Sequence, residues 1–181
     1  VSISGGICEI ASDYGPRVGV SLPQFSEATR AELASVISDF GQMHNPLDMT
    51  GAAVRDEELW LKIPEIIARD PAIGLTLFTW DIPAVAEPSM ANTVKLIGQS
   101  VQRLATPALI VNNVERAINE YGRAYLADNN QLFTPPGLRH ALEAVGRLWW
   151  WSERIRRPTP PRPVLSLAST TSRPGDERQT L

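Results

Sequence analysis

Two adjacent glycines near the start of the chain carry the clearest signal for chemistry. Residues 1–3 favour a strand, and Ser4-Gly5-Gly6-Ile7 leads directly into a helical pattern. The first N–H groups of such a helix have no partner within the helix, and the helix dipole adds partial positive charge there. Because Gly5 and Gly6 lack a Cβ, an anion can approach this backbone closely. The pattern predicts a phosphate or carboxylate site formed by Ser4, Gly5, Gly6 and Ile7, although a plain tight turn shows the same sequence.

An irregular loop, residues 41–51, holds the second group of candidates. They are Asn45, Pro46, Asp48, Thr50 and Gly51. Ligands of open α/β sheets bind beyond the carboxyl ends of the strands, and a loop of this length can reach that edge. Two further loops belong to the same edge, residues 80–88 and Asn112-Asn113. Asn and Asp in turns also bond their own backbone, so a local role stays open.

The remaining reactive side chains do not form a recognisable constellation. Cys8 lies one turn into the first helix, where a dipole can lower the pKa of a thiol, but an apolar packing role is the alternative. His44 lies in a loop and His140 on the last helix, and their spacing is not that of a metal site.

Three consecutive tryptophans lie on the last predicted helix. Neighbouring helical residues point about 100° apart, so one core cannot cover Trp149, Trp150 and Trp151 together. The apolar stripe of Leu138, Leu142 and Val145 predicts that Trp149 is buried. Trp150 and Trp151 then form a contact surface for another domain or chain, unless the Pro-rich tail folds back over them.

Composition sets the class of protein. With 181 residues, 43% of them hydrophobic and 20% charged, the chain is long enough for one domain with a real core. A net charge of -3 argues against an extended nucleic-acid surface. The single cysteine excludes an internal disulfide and fits a reducing compartment. Neither a membrane helix nor a signal peptide is predicted, so we expect a cytoplasmic protein, and the non-Met start suggests a fragment of a longer chain.

The elements that position these residues alternate between strands and helices. Strands are predicted at residues 1–3, 18–22, 73–80, 106–111 and 132–134, and helices at 6–14, 27–40, 57–69, 89–104, 114–126 and 136–157. Short connections between alternating elements are typical of a doubly wound parallel sheet, an α/β fold. After residue 157 the composition becomes rich in Pro, Ser and Arg, which indicates an extended linker over 158–181.

Several segments together resemble one enzyme family. Ser4-Gly5-Gly6-Ile7-Cys8-Glu9-Ile10-Ala11, Leu22-Pro23, Asn45-Pro46-Leu47-Asp48-Met49-Thr50-Gly51 and Asp70-Pro71 resemble the ADP-forming (NDP-forming) acyl-CoA synthetases of the succinyl-CoA synthetase superfamily. The likeness covers roughly residues 1–157 and points to the second flavodoxin-like domain, which is succinyl-CoA-ligase-like. It implies a flavodoxin-like, three-layer α/β/α architecture. In fused members a linker and then an ATP-grasp domain follow, and the tail here is similar to such a linker.

The resemblance also implies a function. In this family two helix amino termini hold a phosphorylated histidine, and Ser4, Gly5 and Gly6 match one of these termini. The loop of Asn45 to Gly51 is then implied to shape the acyl or phosphate pocket. The complete ligase converts acyl-CoA, phosphate and ADP into acid, CoA and ATP, and uses Mg with the nucleotide.

The chain departs from the family pattern in what it lacks. It has no Ser-His-Thr-Gly-Ser-like segment, no CoA-binding glycine-rich loop and no ATP-grasp domain. Neither His44 nor His140 stands at the position of the phosphorylated histidine. We therefore expect partner domains, fused or separate, that bear the phosphorylated histidine and the CoA and ATP sites. We expect this chain alone to hold no cofactor and the isolated chain to show no turnover.

Two other functions are compatible with the sequence. One is a degenerate, non-catalytic flavodoxin-like module that acts in subunit or domain assembly through Trp150 and Trp151. The other is a flavin-binding flavodoxin, which is disfavoured because Ser4 is the only hydroxyl in the loop where such a site needs several.

Overall fold

The protein is described here by a computed structural model that covers residues 1–37, 43–49, 56–131 and 135–158, without the side chains of 88–91. Its helices are α1 (Gly5–Tyr14), α2 (Glu27–Val36), α3 (Leu59–Ala68), α4 (Pro88–Arg103), α5 (Glu120–Asp128) and α6 (Leu138–Arg156), with a 3-10 helix at Pro16–Val18. The strands are β1 (Thr76–Trp80) and β2 (Ala108–Asn112). None of the described helices is both long and apolar enough to cross a membrane.

The two strands are parallel, as the alternating pattern predicts. Their register runs from Thr76 opposite Ala108 to Trp80 opposite Asn112. The protein is therefore a mixed α/β structure, and the predicted class is confirmed at this level.

The opening residues extend the sheet on the other side of β1. The Val1 nitrogen donates to the Leu77 carbonyl at 2.7 Å, and the Thr79 N–H donates to the Val1 carbonyl at 3.0 Å. Beyond them, Ser2 and Asp48 form a parallel bridge. At the far side of β2, the Asn112 N–H donates to the Pro135 carbonyl at 3.3 Å.

This register decides where the loops emerge. Bonds from Val1 to Leu77 and from Thr79 to Val1 place Val1 level with Phe78, so Ile3 is level with Trp80. Trp80 is in turn opposite Asn112. Ser4 and Gly5 therefore leave the sheet at the edge where β1 and β2 end.

Buried side chains lie on both faces of the sheet. On one face Phe78 and Ile110 pack in a large cluster to which four helices contribute. Examples, one from each helix, are Leu33, Ile63, Ile97 and Leu126. On the other face Leu77 packs against a smaller cluster of Ala11, Leu138 and Leu142 from α1 and α6. Successive strand residues point to opposite faces, which explains why neighbours such as Leu77 and Phe78 belong to different clusters.

The turn before α2 is held by a buried carboxylate. Ser26 begins the helix as predicted, and its Oγ accepts from Thr29 N at 3.2 Å. Asp70, only 2% exposed, accepts from the Ser26 N–H at 2.8 Å and from the Ala72 N–H at 2.9 Å. Burial alone would raise the pKa of Asp70, but these hydrogen bonds outweigh it and hold the pKa below its usual value. The Asp70-Pro71 motif therefore has a structural role.

The predicted strand at 18–22 is wrong. Gly15 ends α1 as expected, but Pro16–Val18 forms a 3-10 helix. Gly19 then has a left-handed backbone, with φ +82°, and the Val20 N–H donates to the Gly15 carbonyl at 2.9 Å. These local bonds use the backbone groups that a strand would need for pairing.

The starts of α3 and α5 also differ from the prediction. α3 begins at Leu59 instead of 57, after Asp56 accepts from the Glu58 N–H at 3.0 Å, and it continues through Pro64. α5 begins at Glu120 instead of 114, because Asn119 caps it by accepting from the Gly122 N–H at 2.9 Å. The predicted strand at 132–134 and the end of the helix at 38–40 lie outside the described residues.

Candidate functional site

The amino end of α1 presents two amides that no part of the described chain accepts. Ser4 precedes the helix in an extended conformation, and its carbonyl accepts from the Ile7 and Cys8 N–H groups at 3.1 and 3.2 Å. Within the described residues, no acceptor is bonded to the Gly5 or Gly6 amide. Gly6 is exposed and Gly5 half-buried. The geometry that an anion site requires is present at both glycines, whereas the Ile7 amide is used within the first turn.

The Ser4 side chain lies on the same turn. Its Oγ is 3.9 Å from the position that a Cβ on Gly6 would take. The Ser4 N–H donates to the Oγ of Ser2 at 3.1 Å, and Ser2 is itself buried by its pairing with Asp48. The opening strand therefore fixes the backbone that presents Gly5 and Gly6.

The second predicted motif meets the first at Asp48. One carboxylate oxygen, Oδ2, lies 3.1 Å from the point where a Cβ on Gly5 would stand. The parallel bridge to Ser2 holds Asp48 there. A negative charge thus lies beside the positive end of α1, where it stabilises the helix terminus and repels an incoming anion. Thr50 and Gly51 lie outside the described residues.

Asn45 has a backbone partner of its own. Its Nδ2 donates to the Pro23 carbonyl at 2.9 Å, which links the loop to the segment before α2. The Asn45-Pro46 peptide bond is cis. Asn45 and Pro46 line a cavity beside α1. The Asn45 amide thus bonds a carbonyl 22 residues away along the chain, which differs from the bond to its own backbone that Asn often makes in turns.

The candidate Asn112 joins two loops. It is fully buried, and its Oδ1 accepts from the Ile82 N–H at 3.0 Å while its Nδ2 donates to the Val114 carbonyl at 3.0 Å. Arg116 adds a bond to the Ile82 carbonyl at 3.0 Å. Asn112 is therefore saturated by backbone groups and positions the loop after β1.

Two acceptors beside it have no partner. The Oδ1 atoms of Asp81 and Asn113 are buried, and neither makes a hydrogen bond within the described part of the chain. Each directly follows the last residue of its strand, as Ser4 follows Ile3 in the opening strand. Ser4, Asp81 and Asn113 therefore follow three adjacent extended segments, at the edge of the sheet where α1 begins. Asp81 was not singled out from the sequence, and its place directly after the most apolar strand is the signal that marks it.

A cavity of about 600 Å³ lies between α1, α6 and the loops that enter the strands. Its lining is mainly apolar and includes Cys8, which is half-buried. Burial raises the pKa of the Cys8 thiol, which keeps the sulfur protonated at neutral pH and disfavours a nucleophilic role. The packing interpretation of Cys8 agrees with this position.

The tryptophan segment is more exposed than predicted. Trp150 is 63% exposed and Trp151 54%, but so is Trp149, at 54%. The expected burial of Trp149 is wrong, because the buried side of α6 ends at Gly146. The Arg154 guanidinium lies 5.7 Å from the centre of the Trp150 ring. Together with Leu148 and Ile155, which are also exposed, these residues form an apolar surface along the second half of α6.

The histidines have local partners. His140 Nδ1 lies 3.1 Å from Glu115 Oε1, and His44 Nδ1 lies 3.3 Å from Gln24 Oε1. Within the described ranges, no group of three or more His, Cys, Asp or Glu side chains could hold a metal ion.

The fold is shared with parts of longer proteins of known structure. PH0766 from Pyrococcus horikoshii OT3 matches 86% of this chain with a TM-score of 0.69 at 19% identity. The dinucleotide-forming acetyl-coenzyme A synthetase 1 of Candidatus Korarchaeum cryptofilum matches 84% of it at 17% identity. Its TM-score is 0.65 for the apo form and 0.64 for the complex with phosphate and ADP.

The match covers a limited part of those proteins. This chain spans 35% of PH0766 and 32% of the acetyl-coenzyme A synthetase. No protein-family model matches the sequence, and no curated protein is similar to it. The comparisons therefore establish that the chain shares its fold with a portion, about one third, of these larger proteins.

Proposed function

We propose that this chain is a domain of an ADP-forming acyl-CoA ligase and supplies a helix amino terminus that stabilises a phosphohistidine on a partner domain. The intact enzyme would convert acyl-CoA, phosphate and ADP into acid, CoA and ATP. Residues 1–157 would form the domain and 158–181 the linker. The observation that carries the proposal is the pair of Gly5 and Gly6 amides at the edge where the strands end, which have no acceptor among the described residues.

The physics of this terminus suits a transferable phosphoryl group. Two backbone N–H groups and the dipole of the ten-residue helix α1 offset a negative charge without a basic side chain. Such preorganised donors stabilise charge at little reorganisation cost. Ser4 Oγ can add a third donor from the same turn.

The backbone order supports a flavodoxin-like architecture. Hydrogen bonds place the extended segments in the order 47–49, 1–3, β1, β2 and Pro135. Numbered along the chain, this is the order 2-1-3-4-5 of flavodoxin-like sheets. Core clusters on both faces agree with three layers. In such folds ligands bind where the strand order reverses, which is beside residues 1–3 and hence beside Gly5.

The fold comparisons support the same enzyme class. Two of the similar structures belong to an acetyl-coenzyme A synthetase, one of them in complex with phosphate and ADP. About two thirds of each of those chains has no counterpart here, which leaves room for the CoA-binding, phosphohistidine-bearing and ATP-grasp domains. CoA, the nucleotide and its Mg would be bound on those partners, and we expect no turnover by this chain alone.

Calorimetry with inorganic phosphate tests the site directly. In the wild-type chain we expect weak, saturable binding, and in Gly6→Val we expect at least a tenfold loss, because a β-branched side chain blocks the approach to the amides. Gly74→Val is the matched control, since a Cβ at Gly74 meets no atom within 4 Å. If phosphate gives no binding heat, or if both variants bind like the wild type, the proposed anion site is wrong.

A second function, assembly without catalysis, is favoured by one observation. Trp150 and Trp151 are both more than half exposed, and side chains of this size are frequent in the centres of protein interfaces. In this alternative the domain is a degenerate flavodoxin-like module that joins subunits or domains through α6. Phosphate binding at Gly6 separates the two proposals, because only the first one requires it.

A further inference from the structure

The second half of α6 carries an apolar row on its exposed side. The row consists of Leu148, Trp151 and Ile155, which follow the helical spacing i, i+3 and i+7. Their side chains are 58%, 54% and 60% exposed. The buried side of α6 ends at Gly146, so the row faces away from the core of the described chain. Exposed apolar side chains at helical spacing are typical of a helix that binds another surface.

A basic row runs beside the apolar one. It consists of Arg147, Trp150, Arg154 and Arg157, which repeat every three or four residues and are all exposed. Glu153 is the one acidic residue between positions 147 and 157. It follows the buried Gly146 by seven residues, so it lies on the inward side of the helix, where it is half-buried. The two rows together form an outward face that is apolar, aromatic and positively charged, without a carboxylate.

We propose that this outward face binds an anionic lipid surface, with α6 lying in the plane of the membrane interface. Helices that bind in this way combine Trp, Leu or Ile with basic side chains. The apolar row would enter between the lipid headgroups, while the guanidinium groups stay level with the lipid phosphates. Tryptophan is frequent at this depth of a membrane because its ring is amphipathic, and Trp150 and Trp151 place one such ring in each row.

The charge of the outward face is opposite to that of the whole chain. Residues 147–157 contain four arginines and one glutamate, whereas the complete chain has a net charge of -3. Each arginine near an anionic membrane surface raises the affinity roughly fivefold. The three arginines of the outward face therefore favour an anionic over a zwitterionic surface by roughly a hundredfold. The charge distribution also turns α6, and not the rest of the chain, toward such a membrane.

The size of the face favours lipid over a protein partner. The exposed side of the first half of α6 is an ordinary solvated surface, since Arg139 pairs with Glu143 at 3.3 Å and His140 with Glu115 at 3.1 Å. The outward face is therefore short, whereas a stable protein interface uses roughly 20–30 residues a side. An assembly role would need further surface beyond it. A symmetric pair of copies is disfavoured as well, because it would bring the same arginines of both chains together.

Vesicle flotation of the full-length chain tests the proposal. The wild type should float with vesicles of phosphatidylglycerol and phosphatidylcholine in equal parts, and should bind at least tenfold more weakly to phosphatidylcholine alone. Higher ionic strength should weaken binding to the mixed vesicles, because salt screens the attraction between the arginines and the lipid phosphates.

One pair of variants tests the apolar row. Trp151→Gln/Ile155→Gln should lower the affinity for the mixed vesicles at least tenfold, since polar side chains do not enter the headgroup region. Ile10→Gln/Val85→Gln is the matched control, because it changes two apolar residues outside α6 that are 53% and 68% exposed, and it should bind like the wild type. Circular dichroism verifies that both variants are folded.

A second pair tests the basic row. Arg154→Gln/Arg157→Gln should reduce the preference for phosphatidylglycerol at least tenfold. Arg17→Gln/Arg30→Gln makes the same change of net charge at exposed positions outside α6 and should keep the preference. Equal loss in the two variants would show that net charge, and not the outward face, is responsible.

Three other results overturn the proposal. They are a wild-type chain that does not float, equal binding to both kinds of vesicle, and a Trp151→Gln/Ile155→Gln chain that floats like the wild type. If the wild type floats with neither vesicle and Trp150→Gln/Trp151→Gln loses its association with a partner domain, the face is a protein contact instead. Phosphate binding at Gly6 is a separate measurement on α1, so failure here leaves the proposed anion site untouched.

Discussion

Asp48 lies beside Gly5, although the two residues are 43 positions apart in the sequence. The glycine turn and the loop that contains Asp48 therefore meet at this point. The Asp48 Oδ2 lies 3.1 Å from where a Cβ on Gly5 would stand, and the pairing of Ser2 with Asp48 fixes this distance. A side chain at position 5 would press against this carboxylate, which would have to move by a few tenths of an ångström, and glycine leaves room for it. The same carboxylate adds a negative charge to a terminus that we propose to bind phosphate.

Replacing that carboxylate should improve anion binding. In Asp48→Asn one like charge beside the site is removed, and an interaction of about 1 kcal/mol corresponds to a roughly three- to tenfold gain in phosphate affinity. Calorimetry at low ionic strength measures it. Asp13→Asn makes the same change of net charge on an exposed position near the other end of α1 and should gain little. An equal gain in both variants would show that net charge alone is responsible.

Truncation of two neighbouring asparagines should have different effects on the free energy of unfolding. Asn112→Ala leaves the buried Ile82 N–H without its partner and should lower the free energy of unfolding by about 1–3 kcal/mol. Asn113→Ala removes a buried oxygen that has no partner in the described chain, so its stability should be unchanged or slightly higher. Urea unfolding of the two variants provides the comparison. An Asn112→Ala variant as stable as the wild type would mean that the loop after β1 does not depend on Asn112.

The stability of the folded chain should depend on pH through Asp70. Its pKa is lowered in the folded state, so its contribution is complete above its unfolded pKa of about 4 and is lost as the pH falls through the lower folded value. Asp70→Asn should cost about 1–3 kcal/mol at neutral pH, because two amides lose a charged acceptor.

The pH series gives the check on Asp70. The difference in Tm between the wild type and Asp70→Asn should be constant from pH 7 to 5 and shrink below about pH 4. Asp128→Asn, an exposed position at the end of α5, serves as the control without such a trend. A difference that persists unchanged at pH 2 would contradict the role of the ionised carboxylate.

Local signals predicted the elements whose causes are local. Ser26 capped its helix and Gly15 ended α1 as expected, because both effects act within one turn. The apolar segment at 73–80 contains β1 and the one at 106–111 overlaps β2, since such runs are typical of strands buried on both faces. The glycine turn and the loop of Asn45 and Asp48 were placed together by a family resemblance, and Ser2 shows the physical reason.

The prediction failed where the structure is determined by a competing local hydrogen bond or by packing between distant parts of the chain. Residues 18–22 have strand composition, but the Val20 N–H bonds to Gly15, which periodicity does not reveal. Asn119 was placed inside a helix, although its side chain caps one. Trp149 continues the stripe of Leu142 and Val145, yet it is 54% exposed, because no element of the described part of the chain covers it. A stripe predicts which side of a helix faces inward, not how far along it the core extends.

The exposed tryptophans allow a final prediction about assembly. If α6 is a contact surface for a partner domain or chain, Trp150→Gln/Trp151→Gln should reduce association with that partner by at least tenfold, because large aromatic side chains dominate the energy of such contacts. The folded chain itself should keep its stability, since both side chains are more than half exposed. Ile10→Gln, at an apolar position on α1 with similar exposure, 53%, is the matched control. Sedimentation velocity of the chain with the partner domains of the proposed ligase measures the association. Unchanged association of the double variant would remove α6 from the interface, whereas a loss confined to it would identify Trp150 and Trp151 as the contact with that partner.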